Sequence, residues 1–170
     1  MNDTIIEVKN LHYSYPDGTK ALQGVNMELK RGSKIAILGS NGAGKSTLLL
    51  HLNGTLKPKE GQVLFGGEVI TYGKKQLDGL RKEVGIVFQD PDTQLFSASV
   101  YQDISFGPMN LKLPEAEVKQ RVESAMTTTE VVAFKDKPTH ALSYGQKKRV
   151  SIAGVLAMSP KVIILDEPTA

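Results

Sequence analysis

The densest chemistry in this sequence lies in one short stretch. Gly39, Ser40, Asn41, Gly42, Ala43, Gly44, Lys45 and Ser46 read G-x-x-x-x-G-K-S, with Thr47 following. Glycines at this spacing let the main chain turn tightly and come close to a phosphate. Successive N–H groups and a helix N-terminus then point at the anion. The Lys45 ammonium reaches β- and γ-phosphates, and the Ser46 hydroxyl is placed to ligate Mg²⁺. The flanks fit the motif. Lys34 to Leu38 is a short apolar run of the kind that forms a buried parallel strand. Leu48, Leu49, Leu50 and Leu52 continue the loop into a helix that Asn53 and Gly54 can end.

A second constellation stands at the end of the chain. Val162, Ile163, Ile164 and Leu165 form an apolar run that delivers Asp166 and Glu167 at its C-terminal end, where ligands bind in open parallel sheets. Asp166 is placed to hold Mg²⁺. Glu167 is placed to orient and polarise a water. Taken alone, such a pair is also what a strand ending in solvent looks like.

Leu142, Ser143, Tyr144, Gly145 and Gln146 form a third. Ser143 with Gln146 three residues later is a capping box, and a good helix start accounts for it. The other reading is a second anion site, with the Ser143 hydroxyl, the Gly145 N–H and a helix dipole directed outwards.

The elements that must position these residues are partly legible. Ile6 and Val8, then Val25, Met27 and Leu29, alternate with polar residues as half-buried strands do, and Pro16 to Thr19 is a turn by composition. Val63–Phe65 and Glu68–Ile70 flank Gly66 and Gly67 as a hairpin. Val84 to Phe88 reads as a buried strand. Pro114 opens a helix with Val118, Val122, Ala125, Met126 and Val132 near one face. A further helix starts near Ser143 and runs to about Met158, before Ser159 and Pro160.

Composition bounds the class. At 170 residues, 40% hydrophobic and 23% charged, the chain is a globular domain, able to bury roughly 70% of its unfolded surface. Disorder and collagen are excluded, and with no Cys so are thiol chemistry and zinc–thiolate sites. No apolar run approaches the ~20 residues of a spanning helix, and the start, Met1 to Thr4, has no signal-peptide pattern. The net charge of +3 is small. Lys74–Lys75 and Lys147–Arg149 read as solvated faces with extra cations, without the interleaved aromatics of a nucleic-acid platform. No nucleic-acid partner is expected.

Gly39–Thr47, a lone Gln89 after a strand, Leu142–Gln146 and Leu165–Thr169 occur in this order. Together they resemble the nucleotide-binding domain of ATP-binding cassette (ABC) transporters. The resemblance covers essentially the whole chain, and Leu-Ser-x-Gly-Gln is nearly private to that family. It implies an α/β fold: a P-loop NTPase core with an N-terminal antiparallel β subdomain and a helical insertion, C-terminally truncated relative to the family. It implies one domain over residues 1–170, with a β-rich nucleotide-binding core over 1–90, a helical subdomain over 91–160 and a return to the core over 161–170. ATP and Mg²⁺ are the implied cofactors, and ATP hydrolysis the implied activity. Ser143, Gly145 and Gln146 would face the γ-phosphate held by an opposing subunit, in a head-to-tail dimer of ATPase subunits. Capping and phosphate contact can hold together. Tyr15 resembles the aromatic residue that stacks on adenine, ahead of Tyr13. Its plain alternative is an edge-strand tyrosine. Gln89 resembles the glutamine that senses Mg²⁺ and links the helical insertion to the membrane subunit. Its plain alternative is a polar residue at a strand end.

Phe88–Phe96, Asp103–Leu111 and Leu142–Arg149 are similar to the ATPases of energy-coupling-factor importers, most of all the cobalt and nickel members, with vitamin importers close behind. That resemblance implies integral membrane transport subunits as partners and a peripheral position on the cytoplasmic face of the cell membrane. The cargo metal is not expected to bind here, since three scattered His offer no ligand spacing. A soluble, non-transport cassette ATPase and an inactive binding fragment are the alternatives. Only three residues follow Glu167, and His12, His51 and His140 all precede it. The family's D-loop and switch histidine are therefore expected beyond this stretch, which should bind nucleotide better than it hydrolyses it. His51 reads as a residue on the face of the helix after the phosphate loop.

Overall fold

The computed structural model describes residues 3–168, so Thr169 and Ala170 of the last motif lie outside the described residues. The chain divides into two compact units, Met1–Arg81 and Lys82–Ala170.

In the first unit, β1 (Thr4–Ser14) and β2 (Lys20–Lys30) form an antiparallel hairpin around the turn at Tyr15–Thr19. The sheet is completed by β3 (Glu60–Phe65) and β4 (Glu68–Val69), in the order β2-β1-β3-β4. Gly66 and Gly67 both take positive φ, 60° and 87°, as a two-residue hairpin turn between Phe65 and its partner Glu68 requires. Ile6, Val8, Leu11 and Val63 are buried from the sheet, and Leu48 and Leu52 from α1 (Lys45–Leu52). Helix α2 (Lys74–Glu83) buries Leu80, and Arg81 donates to the Gly54 carbonyl.

The strand expected over Lys34–Leu38 is absent. The segment is irregular, with Leu38 90% and Ile35 49% exposed. A parallel strand exists only by pairing with distant segments. The sheet of this unit is wholly antiparallel and does not include residues 34–38.

In the second unit, β5 (Val84–Val87) pairs in parallel with β6 (Val162–Leu165), Val84 opposite Val162 and Val87 opposite Leu165. Between them run α3 (Val100–Asn110), α4 (Glu115–Thr128) and α5 (Tyr144–Ala157). Their core joins Val100 and Ile104 of α3, Val122 and Met126 of α4, and Val150 and Ala153 of α5. Helix α4 presents the expected stripe except for Val132. That residue falls in a short 3₁₀ turn after the helix and is exposed, while Val131 is buried in its place. The units divide at Arg81/Lys82, ahead of the boundary expected at 90/91, because β5 pairs with the far end of the chain.

Two helices had no sequence expectation. Helix α3 starts at a Ser99 cap that accepts from the Gln102 N–H, and Pro108 within it disguises the pattern. Helix α2 is strongly polar.

Candidate functional site

The phosphate-loop residues lie in the first unit. Gly42 and Gly44 adopt φ of 80° and 87°, in the left-handed region that favours glycine. At Gly44 the constraint is doubled, since a Cβ there would collide with the Ala21 carbonyl oxygen of β2. Gly44 is also the N-cap of α1, so the helix begins at Lys45. The N–H groups of its first turn and the positive end of its dipole sit at the loop. The Lys45 ammonium donates to the Gly39 carbonyl at 2.8 Å and the Ser40 carbonyl at 3.0 Å, which holds it across the mouth of the loop. The structure thus supplies the helix flank of the motif and not the strand flank.

Behind the loop stands an aromatic stack. The Tyr15 and Thr47 hydroxyls share a hydrogen bond of 2.7 Å. Tyr13 meets the Tyr15 ring edge-on, with centroids 5.3 Å apart, and the His51 ring at 4.8 Å. Tyr15 itself is exposed at the rim. His51 is on α1, as read, but it belongs to the core rather than to an open helix face: its side chain is fully buried. A ring nitrogen, Nδ1, lies 2.7 Å from the Thr47 carbonyl. A carbonyl can only accept, so Nδ1 carries the proton. Nε2 is buried without a hydrogen bond. Burial pushes the imidazole below its ordinary 6.5, and the Thr47 and Lys57 carbonyls oppose this only in part.

The remaining candidate residues lie in the second unit, where the strand pair brings its two ends together. Gln89 Nε2 donates to Glu167 Oε2 at 3.0 Å, across 78 positions of sequence. Glu167 has φ 44°, rare for a residue with a side chain. Backbone held in sparsely populated regions concentrates where function demands it. The Asp166 N–H continues the ladder by donating to the Val87 carbonyl.

Helix α5 starts as its sequence dictates. Ser143 accepts from the Gln146 N–H while the Gln146 side chain accepts from the Ser143 N–H, a complete capping box. Nothing lies within 4 Å of where a Gly145 Cβ would stand.

The basic run Lys147–Arg149 is not the solvated face it was expected to be. Lys147 pairs with Asp92 at 2.6 Å, Arg149 stands over the Phe134 ring, and Lys148 is only 5% exposed. The Lys148 ammonium donates to three main-chain carbonyls, of Phe88, Gln89 and Asp166. Burial lowers its pKa, and the carboxylates of Asp166, Asp90 and Glu167 work the other way. Its position two residues past the capping box was visible in the sequence, but its burial was not. The Tyr144 hydroxyl, which also donates to the Gln89 carbonyl, had no sequence signal beyond its place in the motif.

Known proteins resemble this chain in both sequence and fold. The chain is 61% identical over 170 residues to an "energy-coupling factor transporter ATP-binding protein EcfA3" of Clostridium perfringens, covering all of this chain and 60% of the relative. The chain thus spans about 60% of the length of the curated relatives it matches first. It superposes with a TM-score of 0.88 on cbiO1 from Clostridium perfringens, described as part of the ABC transporter complex cbiONQ, at 60% identity over 99% of this chain and 67% of that one. It superposes equally well, at 0.88 and 28% identity, on an ATP-binding cassette in a dimeric post-hydrolysis state with ADP and Pi, over 97% of this chain and 75% of that one. The family model described as "ABC transporter" matches residues 22–170, from β2 through the phosphate loop and capping box to the acidic strand end, and the chain belongs to that family.

Proposed function

We propose that the chain binds Mg²⁺–ATP through the loop Gly39–Thr47 and that the full-length protein hydrolyses it as the ATPase subunit of an energy-coupling-factor importer for cobalt or nickel ions. The observation that carries the reading is the contact between Gln89 and Glu167 at the C-terminal ends of the parallel strands. A carboxylate only accepts, so the amide nitrogen of Gln89 must be the end that faces Glu167. Its amide oxygen is left for a cation. With the Asp166 carboxylate of the same unit it would offer oxygen donors, the chemistry that suits Mg²⁺. When bound, such an ion would neutralise phosphate charge.

The protein's own groups do the rest. The N–H groups from Gly42 to Lys45 and the Lys45 ammonium hold the phosphates. Tyr15 stacks on the base, its hydroxyl tethered to Thr47. Glu167 accepts a proton from the attacking water and orients it, and Gln89 fixes that carboxylate in place.

Ser143 and Gly145 contact the γ-phosphate bound to a second ATPase subunit, packed head to tail. Among the described residues no helix is long and apolar enough to cross a membrane, so docking on integral membrane subunits is the proposed route to the membrane's cytoplasmic face. The exposed Phe96, Phe106 and Met109 of the helical unit favour a protein partner there. The cobalt or nickel reading rests on the likeness of Phe88–Phe96, Asp103–Leu111 and Leu142–Arg149 to those importers. A vitamin is the competing cargo.

The test is Glu167→Gln in the full-length protein. Turnover should fall at least 100-fold while ATP stays bound. Hydrolysis at the unaltered rate would overturn the assignment. Uptake of labelled cobalt or nickel by cells expressing the protein with its membrane partners, lost in Lys45→Ala, tests the cargo.

A further inference from the structure

Three side chains from the first turns of α5 converge on the segment that follows β5. Tyr144 Oη donates to the Gln89 carbonyl at 2.9 Å. Lys148 Nζ donates to the carbonyls of Phe88 at 2.8 Å, Gln89 at 2.9 Å and Asp166 at 3.4 Å. Lys147 pairs with Asp92 at 2.6 Å. An ammonium has three N–H donors and no acceptor, so Lys148 spends its whole hydrogen-bonding capacity on main chain.

This is a costly way to pack a helix against a strand pair. A buried cation must be compensated for lost hydration, and an apolar residue of equal length would fill the space without that cost. What the ammonium achieves is directional. Phe88 and Asp166 are the first residues beyond the paired ends of β5 and β6, Val87 and Leu165. Gln89 and Glu167 are the next, and their side chains meet there. The Gln89 carbonyl receives two donors from the same helix, one from Tyr144 and one from Lys148.

We propose that Lys148, with Tyr144, is a positioning residue for hydrolysis. The pair fixes the main chain at Gln89 and Asp166, so that the Gln89 amide keeps its nitrogen on Glu167 and the Glu167 carboxylate keeps its aim at water. The helix that opens with the capping box thereby sets the geometry of the water-activating pair in its own subunit. The proposal rests on the hydrolytic reading of Gln89 and Glu167.

The experiment uses the full-length protein and single-turnover rates with radiolabelled ATP, which resolve slow variants. Lys148→Met keeps the length of the side chain and removes its donors. Tyr144→Phe removes one exposed hydroxyl and serves if Lys148→Met fails to fold. We expect kcat to fall at least ten-fold in Lys148→Met and about three-fold in Tyr144→Phe, with KM for ATP within two-fold of the parent. Both changes are then combined with Gln89→Ala. A residue acting through Gln89 adds less than two-fold in that background, because members of one network are not additive. Effects that multiply, unaltered kcat in both variants, or a KM that rises along with a lowered melting temperature would overturn the proposal while leaving the ATPase assignment intact. A parent protein that does not hydrolyse ATP at all would overturn that assignment and this proposal together.

Discussion

The Lys45 ammonium bridges two carbonyls of its own loop, and a nucleotide's phosphates would replace them as its partners. Lys45→Ala should therefore weaken Mg–ATP binding by about 2–4 kcal/mol, the range for truncating one partner of a buried charge pair. Isothermal calorimetry checks it, and unchanged affinity would remove the phosphate-loop assignment. His51 makes a prediction of a different kind. Its folded pKa is depressed by burial, so the unfolded chain takes up a proton there more readily than the folded one. Stability then rises with pH through this window. The contribution of a neutral His51 is whole above its ordinary 6.5 and is lost as pH falls towards the folded value. The melting temperature should drop on acidification from pH 7 to 5, and His51→Asn should flatten that slope. Tyr13 rests edge-on against this ring and Tyr15 against Tyr13, so ATP affinity should weaken over the same acid range in the parent and less in the variant.

At the scale of elements, α5 offers two changes that separate stability from ligand contact. Ser143→Ala removes half of an observed capping box and should cost roughly 0.5–2 kcal/mol in chemical denaturation. Gly145→Ala meets open space and replaces a poor helix former, so stability should hold or improve by up to about 1 kcal/mol. A loss of turnover in Gly145→Ala without loss of stability would point to a ligand beyond this subunit. The helix itself was readable from Ser143 and Gln146 because a capping box is local chemistry. The β1–β2 hairpin was readable from alternation and a Pro-Asp-Gly turn for the same reason. The failures are non-local. Lys34–Leu38 has the composition of a buried strand, but composition supplies no pairing partner. Lys148 sits in a basic run, and nothing in that run tells which of its cations faces the ends of two strands. Helix α3 was hidden by Pro108, although Ser99, Val100 and Ile104 carried its cap and its spacing.

For the whole molecule, the proposed head-to-tail dimer makes Gly145→Asp informative. The new carboxylate would stand against a phosphate held by the opposing subunit. In a full-length Glu167→Gln background this variant should bind ATP as the parent does and fail to dimerise with it, as read by light scattering. Normal dimers would reduce Ser143 and Gly145 to a helix cap. The parallel pairing of β5 with β6 has a further consequence, for biosynthesis. Val84 meets Val162, so 78 more residues, Val162 included, must be added after Val84 before the two can pair. At ~5–20 residues per second on a ribosome, β5 waits about 4–16 s for its partner. During that interval an apolar segment, Val84 to Val87, is without the ladder that buries it in the finished protein. The three helices made in the meantime gather largely local contacts and can form first. Gln89 is thus synthesised early, but its contact with Glu167 exists only after β6 arrives. A nascent chain arrested before Val162 should carry a folded helical unit whose β5 is open to chaperones and proteases.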